Sequence, residues 1–254
     1  MISFTSDQLA LWLGMYAWPF ARMLALFMTA PVLHDQAIPA RLKIGFSVLA
    51  ALLIAPLLPA AQHVPVSSPH APLILAQQVL IGASIGFSIR LVFAALEMAG
   101  DQIGLQMGLS FAGFMSPGTG EQTPIVGSFL GIIASLIFLA INGHLMLFAA
   151  VTDSFHALPV TAGLGPQLNY AALATAGGDI FRIGLHVALP VLATMLILNI
   201  ALGVLARVSP QLNVFAVGFP VTLLIGMIAL MLALPVLGPL FEQALGQSLL
   251  RPLH

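Results

Sequence analysis

Residues 97–124 read EMAGDQIGLQMGLSFAGFMSPGTGEQTP, and this stretch interrupts an otherwise apolar chain near its middle. It is too polar to span a bilayer and too apolar for an ordinary solvated loop. Gly100, Gly104 and Gly108 recur at every fourth position, so in a helix they form one bare face for close backbone contact. Irregular backbone is tolerated at membrane depth only where protein or a water-filled cavity surrounds it. The stretch therefore predicts a segment enclosed within a protein assembly.

The second half of this stretch carries large apolar side chains separated by small residues. Phe111, Phe114 and Met115 supply the bulk, and Met107 precedes them. Pro117 and the glycines after it end any regular element. A hydrophobic constriction can close a channel by excluding water. We therefore interpret these four apolar residues as a channel plug, with ordinary core packing between helices as the alternative.

The composition indicates an integral membrane protein. Of 254 residues, 60% are hydrophobic and only 6% are charged, whereas soluble domains carry about 25% charged residues. The net charge of −1 argues against a nucleic-acid partner. The absence of cysteine excludes disulfides, thiolate metal sites and cysteine nucleophiles.

Hydropathy predicts an all-α membrane protein with about six hydrophobic helices in hairpins and no strand. The apolar runs cover residues 9–30, 44–58, 73–99, 125–151, 180–206 and 214–237. A tight turn at 207–211 joins the last two runs, which predicts a helical hairpin. The polar stretch 153–178 ends in two glycines, and we interpret it as a connector and the main internal boundary. The basic residues near the ends of the runs divide three to two, which weakly favours termini outside the cytoplasm and leaves the membrane orientation open.

Paired glycines within the apolar runs indicate close helix packing. Gly82 and Gly86 fall in the pentapeptide GASIG, which also matches the nucleophile elbow of hydrolases. That elbow requires a strand, a turn and then a helix, whereas here the pentapeptide lies inside a long apolar run. A small-xxx-small packing face is the better interpretation, and Gly127 with Gly131 repeats the pattern.

Two arginines, Arg22 and Arg90, lie well inside apolar runs. Each would cost roughly 2.5–3.5 kcal/mol if it faced lipid. They must therefore face protein, water or a partner charge. We favour structural pairing with a carboxylate or with helix C-terminal carbonyls over an ion pathway.

Polar residues bracket the turn of the last hairpin: Asn199, Arg207, Gln211 and Asn213. Amides in apolar surroundings bond across helices or to free backbone groups. We expect them to cap the turn and to contact a neighbouring subunit rather than a ligand.

The titratable residues do not predict an enzyme. The eight carboxylates lie at or beyond the ends of apolar runs, whereas a proton-coupled transporter usually places one within a span. The seven histidines include no pair spaced by three or four residues, so no metal site is expected. No phosphate-binding or dinucleotide-binding loop is present, so no cofactor is expected either.

Residues 199–220, NIALGVLARVSPQLNVFAVGFP, closely resemble the signature of the FliR family of flagellar export-gate proteins. The resemblance covers essentially the whole chain. Its other landmarks occur in the family's order: the helix of Arg22, the turn at 31–43, GLSFAGFMSP at 108–117, Asn142-Gly143-His144 and Gly177-Gly178-Asp179.

The resemblance implies a non-enzymatic core subunit of the flagellar type III export gate in the bacterial inner membrane, within the flagellar basal body. It implies FliP-like, FliQ-like and FlhB-like partner subunits around a channel for unfolded substrate proteins. Residues 1–177 would be FliP-like, residues 178–254 a FliQ-like hairpin and tail, and residues 106–122 the plug. In such a gate, protein contacts cover much of the apolar surface that hydropathy assigns to six spans. An injectisome subunit and a small-solute transporter remain as alternatives.

Overall fold

The computed structural model describes residues 6–34, 37–58, 64–109, 124–160, 169–209 and 214–250. Within these ranges the chain is all-helical, as predicted. The α-helices are α1 Ser6–Thr29, α2 Ala40–Ile54, α3 Ala71–Gln106, α4 Ile125–Ala140, α5 Gly143–Ala157, α6 Tyr170–Val208 and α7 Val214–Leu250. A short 3-10 turn, Ala55–Leu57, follows α2.

Most of these helices are long and apolar enough to cross a membrane. Five candidate spans lie in α1, α2 with its 3-10 turn, α3, α6 and α7, and the broken pair α4–α5 makes a sixth if it counts as one span. The prediction of about six hydrophobic helices is confirmed. In the apolar window of α3, 61% of the residues are buried, against 22% in α6 and α7. Other parts of the same chain therefore bury most of α3, whereas most of the apolar surface of α6 and α7 is exposed.

The helices differ from the predicted apolar runs in two places. The run 125–151 is not one helix, because the backbone breaks at Ile141–Asn142 and Asn142 adopts φ 57°. Asparagine is among the few residues that accept this left-handed conformation. A left-handed residue interrupts a right-handed helix, so α4 ends before Asn142 and α5 begins after it.

Both ends of the stretch 153–178 are helical, so the connector is shorter than predicted. Helix α5 continues to Ala157, and α6 already begins at Tyr170, so Gly177 and Gly178 lie inside a helix. The alanine-rich residues 171–176 favour helix. A glycine costs about 1 kcal/mol in a helix interior, which is too little to stop a 39-residue helix.

The chain divides into two compact units, and each of the helices α3, α6 and α7 contributes residues to both units. The first unit comprises residues 1–90, 142–176 and 245–254. Among its described residues Phe27 stands between Phe46, at 6.5 Å between ring centroids, and Phe148, at 6.0 Å. Trp18 adds a hydrogen bond from its indole Nε1 to the carbonyl oxygen of Val64, at 2.8 Å. These contacts hold α1 against α2, α5 and the segment before α3.

A strained corner joins α1 to α2 in the first unit. Val32 has φ 66°, and the Leu33 amide donates to the Pro31 carbonyl across it, at 2.7 Å. A γ-turn with positive φ is rare and strained. The Nζ of Lys43, on α2, donates to the carbonyl oxygen of His34 at 2.9 Å. This bond fixes the end of the corner.

The second unit comprises residues 91–141 and 177–244. Its core is built around Phe93 of α3, which packs edge-on against Phe138 of α4 and Phe241 of α7. The ring centroids are 5.8 and 5.2 Å apart. All three rings are buried, so they hold the C-terminal part of α3 between α4 and α7.

Candidate functional site

Helix α3 ends inside the stretch 97–124, and hydrogen bonds around Gly108 close its C-terminus. Gly108 has φ 81°. Its amide donates to the Leu105 carbonyl and the Leu109 amide donates to the Gly104 carbonyl, each at 3.1 Å. This pair of bonds around a left-handed glycine is the Schellman motif. Gly108 was expected on the helix-packing face with Gly100 and Gly104. That expectation is wrong, because Gly108 lies beyond the helix and terminates it.

Met107, at the end of α3, is fully buried against α7. A methyl group at Gly226 would lie 2.5 Å from Met107 Cγ and 3.0 Å from its Sδ and Cε. The Thr222 hydroxyl lies 3.4 Å from the Met107 carbonyl oxygen. Met107 is thus packed into a notch on α7, at the start of the stretch 106–122 that the resemblance assigns to the plug. The other predicted plug residues, Phe111, Phe114 and Met115, lie outside the described residues.

A polar contact from α6 reaches the same end of α3. Asn199 Nδ2 donates to Gln106 Oε1 at 3.5 Å, in an exposed position. A hydrogen bond of this length is weak. Asn199 therefore contributes little energy, but it places an amide of α6 beside the last residue of α3.

The glycine face of α3 packs directly on α4. A methyl group at Gly100 would lie 2.7 Å from the Gly127 Cα, and one at Gly104 would lie 3.2 Å from a methyl of Val126. On the opposite side of the contact, a Cβ at Gly127 would collide with the carboxylate oxygen Oδ1 of Asp101. That oxygen is buried and has no hydrogen-bond partner among the described residues.

Glu97, one turn before Asp101, lies beside Gly131 in the same contact. A Cβ there would come within 3.0 Å of Glu97 Oε1. Both carboxylates lie inside α3, because the helix continues seven residues beyond the apolar run that ends at 99. The two acids were expected at the end of the apolar run, and they are there. The helix, however, extends past the run and includes both. Among the described residues, no three His, Asp or Glu side chains are arranged to bind a metal ion.

The second glycine pair packs α3 on α1 in the first unit. A Cβ at Gly82 would collide with the Arg22 carbonyl oxygen, and one at Gly86 would collide with the Thr29 hydroxyl. Gly82 and Gly86 thus stand where the backbones of two helices meet, as the small-xxx-small interpretation requires.

Arg22 lies at this crossing and is fully buried. Its Nε donates to Gln78 Oε1 at 2.8 Å, Nη1 to Ser154 Oγ at 2.8 Å, and Nη2 to the Leu158 carbonyl at 2.9 Å. Its Cζ stands 3.7 Å from the centroid of the Phe155 ring. We call these five residues the Arg22 cluster. Leu158 caps α5, so the arginine meets the negative end of a helix dipole, one of the two structural pairings expected from the sequence.

The remaining predicted contact residues are exposed or undescribed. Arg90 is exposed on α3, and Arg207 is exposed in the last turn of α6. Both side chains therefore differ from that of Arg22, which is buried among hydrogen-bond acceptors. Gln211 and Asn213 lie outside the described residues.

Comparison with known proteins decides the family. A family model described as bacterial export proteins, family 1, matches residues 13–248. The flagellar biosynthetic protein FliR of Pectobacterium carotovorum subsp. carotovorum is 47% identical over 244 residues, which cover 95% of this chain and 92% of that protein.

The chain belongs to the FliR family of bacterial export proteins. The FliR proteins of Escherichia coli (strain K12) and Bacillus subtilis (strain 168) are 43% and 30% identical to it. The matches cover 95% and 86% of this chain, and 92% and 85% of those proteins.

Membership in the FliR family confirms the function predicted from the signature at 199–220. The protein is a non-enzymatic component of flagellar type III export and a multi-pass protein of the bacterial inner membrane. Its partners belong to the flagellar export apparatus. These findings favour flagellar export over the injectisome and transporter alternatives.

Sequence reasoning missed several residues that organise this FliR-family chain. Gln78 precedes Gly82 and Gly86 at the same four-residue spacing, so it shares their helix face, and this spacing could have revealed it. Ser154 and Gly226 gave no such signal, because their partners are distant in the sequence. Lys43 is also buried, although it lies at the edge of a polar turn in the sequence.

Proposed function

We propose that this chain is a core subunit of the flagellar export gate and that FliP-like and FliQ-like subunits complete a channel around the path of unfolded substrates. An FlhB-like subunit is a further partner in this proposal. The observation that carries it is the match to the FliR family across residues 13–248.

The exposed surface of α6 and α7 supports an assembly. Only 22% of their apolar windows is buried, and the exposed side chains include Ile197, Val208 and Leu232, each at least 70% exposed. Large contiguous apolar surfaces mark contacts with protein or lipid. We propose that neighbouring subunits cover much of this surface.

The proposal includes a division of the chain. Residues 1–177 correspond to a FliP-like part and residues 178–254 to a FliQ-like hairpin with its tail. The turn between α6, which ends at Val208, and α7, which begins at Val214, is the tip of that hairpin. Arg207, exposed at this tip, together with Gln211 and Asn213, would contact a neighbouring subunit.

The first experiment tests assembly. A strain that lacks the gene should lose motility, and the wild-type chain should restore both motility and substrate export. Native mass spectrometry of the detergent-extracted complex should then show this 26.6 kDa chain together with FliP-like and FliQ-like subunits. A monodisperse, heat-stable monomer, or restoration of motility without such a complex, would contradict the proposal.

The second experiment tests the plug, which we propose for residues 106–122 with Phe111, Phe114 and Met115 as its bulk. Deletion of residues 110–114 should leave the complex assembled and make the membrane leaky to ions, because a dewetted constriction is lost. If these residues are ordinary core, the deletion should instead lower complex yield without a leak. Normal assembly with normal conductance would refute the plug.

A further inference from the structure

We infer that Met107, seated in the notch at Gly226, is a positioning residue for export: it sets where α3 ends against α7. We call Met107, Gly226 and Thr222 the Met107 joint. The inference rests on the proposed function in one respect only, that the end of α3 leads into the substrate path. It assigns a role to Gly226, which neither the family signature nor the glycine spacing singles out.

The contact at Gly226 involves most of the methionine side chain. A methyl group at this glycine would lie within 3.0 Å of Cγ, Sδ and Cε of Met107. Real Cβ atoms essentially never approach other heavy atoms that closely. The thioether therefore lies across the bare backbone of α7, and a methyl group at Gly226 would force the methionine side chain to shift.

The Met107 carbonyl contacts α7 more weakly than the side chain does. Thr222 lies four residues before Gly226, so both residues face α3 from one side of α7. The Thr222 hydroxyl has one proton, and it lies nearer to the Phe219 carbonyl, at 2.9 Å, than to the Met107 carbonyl, at 3.4 Å. The shorter bond dominates. Packing in the notch, not this hydrogen bond, therefore fixes the joint.

The position of Met107 gives the notch its effect on the chain that follows. Met107 is the last residue before Gly108, whose left-handed backbone turns the chain out of the helix. An isolated methionine would adapt to a new neighbour by changing rotamer. Here the atom closest to the new methyl is Cγ, near the backbone, so rotation about the outer bonds of the side chain does not relieve the contact, and the end of α3 shifts with Met107.

The test is a double-mutant cycle in the full-length protein within its membrane complex. The variants are Gly226→Ala, Met107→Ala and the pair. Gly238→Ala is the matched control, because Gly238 lies in the same helix and a Cβ there meets nothing within 4 Å. Two quantities are measured: the amount of complex recovered after extraction, and the flagellar substrate secreted per recovered complex.

We expect Gly226→Ala to reduce export per recovered complex about fivefold or more, because the new methyl shifts the balance between the seated and the displaced Met107 by that factor within the assembled complex. Gly238→Ala should match the wild type or recover slightly better, since alanine favours helix. Adding Met107→Ala to Gly226→Ala should restore part of the export, because the shortened side chain no longer meets the new methyl.

Three results would overturn the inference. One is a Gly226→Ala phenotype no larger than that of Gly238→Ala. Another is a loss of recovered complex with unchanged export per complex, which would make the joint merely structural. The third is a defect that Met107→Ala does not relieve. Failure of the proposed function would show elsewhere, in a wild-type chain that does not restore export to the null strain.

Discussion

In the Arg22 cluster, neutral acceptors surround a buried cation, so the loss of one acceptor should measurably lower the stability of the chain. The three hydrogen-bond acceptors of Arg22 among the described residues are the Gln78 amide, the Ser154 hydroxyl and the Leu158 carbonyl. Replacing Gln78 with leucine keeps an apolar side chain of similar volume and removes the acceptor of Arg22 Nε. The Nε–H then remains in the interior without its partner.

The expected cost follows from this loss. A buried donor without a partner costs about 1–3 kcal/mol, and more when the group is charged. The 2.8 Å bond to Nε is charge-assisted, a type roughly twice as strong as a neutral hydrogen bond. We therefore expect Gln78→Leu to destabilise the chain by about 2 kcal/mol, or ~30-fold in the ratio of folded to unfolded chain.

The assay is the fraction of full-length chain that stays in the extracted complex after heating over a series of temperatures. Gln77→Leu is the matched control, since Gln77 is the adjacent residue of the same helix but only half-buried. It should change stability by no more than about 0.5 kcal/mol. Gln78→Glu should retain more complex than Gln78→Leu, because a carboxylate can accept the same bond and adds a counter-charge.

Equal heat resistance of Gln78→Leu and Gln77→Leu would refute this reasoning. It would mean that the Nε–H finds another acceptor at no cost. A Gln78→Glu variant less stable than Gln78→Leu would also contradict it, because the arginine would then gain nothing from a partner charge.

Three further predictions concern packing, strain and assembly. Gly100→Ala should destabilise the chain by about 1–3 kcal/mol, because its methyl meets the α4 backbone at 2.7 Å, whereas Gly246→Ala, with nothing within 4 Å, should be neutral or stabilising in the same heating assay. Val32→Gly should be more stable than Val32→Ala by about 1 kcal/mol, the reverse of the usual order, because only glycine relieves φ 66°; alanine equal to or above glycine would show that the corner is unstrained. Arg207→Glu should lower the yield of complex with partner subunits and leave the amount of chain in the membrane unchanged, while Arg207→Lys keeps the yield; an unchanged yield in both would exclude a charge contact at the hairpin tip.

The helical class and the positions of the apolar helices followed from the sequence, because both depend on local composition. Long apolar runs with few charges form helices wherever backbone hydrogen bonds must be satisfied internally. Glycines at four-residue spacing likewise marked a close contact, since that spacing alone places them on one helix face. The family followed from residues 199–220, whose order is specific.

Helix ends were less predictable, because they depend on single backbone conformations. The left-handed Asn142 divides a run that hydropathy treats as continuous. Gly108 continues the four-residue spacing of Gly100 and Gly104. Those two glycines pack α3 against α4, whereas Gly108 terminates α3. Periodicity describes which face a residue would occupy, but not whether the helix reaches it.

Partners across the chain were decided only by the tertiary structure. The sequence required Arg22 to have a partner, since a cation facing lipid is costly. It left open whether that partner was a carboxylate or the end of a helix. The folded chain supplies Gln78 from α3 and Ser154 with Leu158 from the end of α5, 56 to 136 residues away in sequence. Local pattern determines that a buried charge must be satisfied, whereas packing over long sequence separations determines which groups satisfy it.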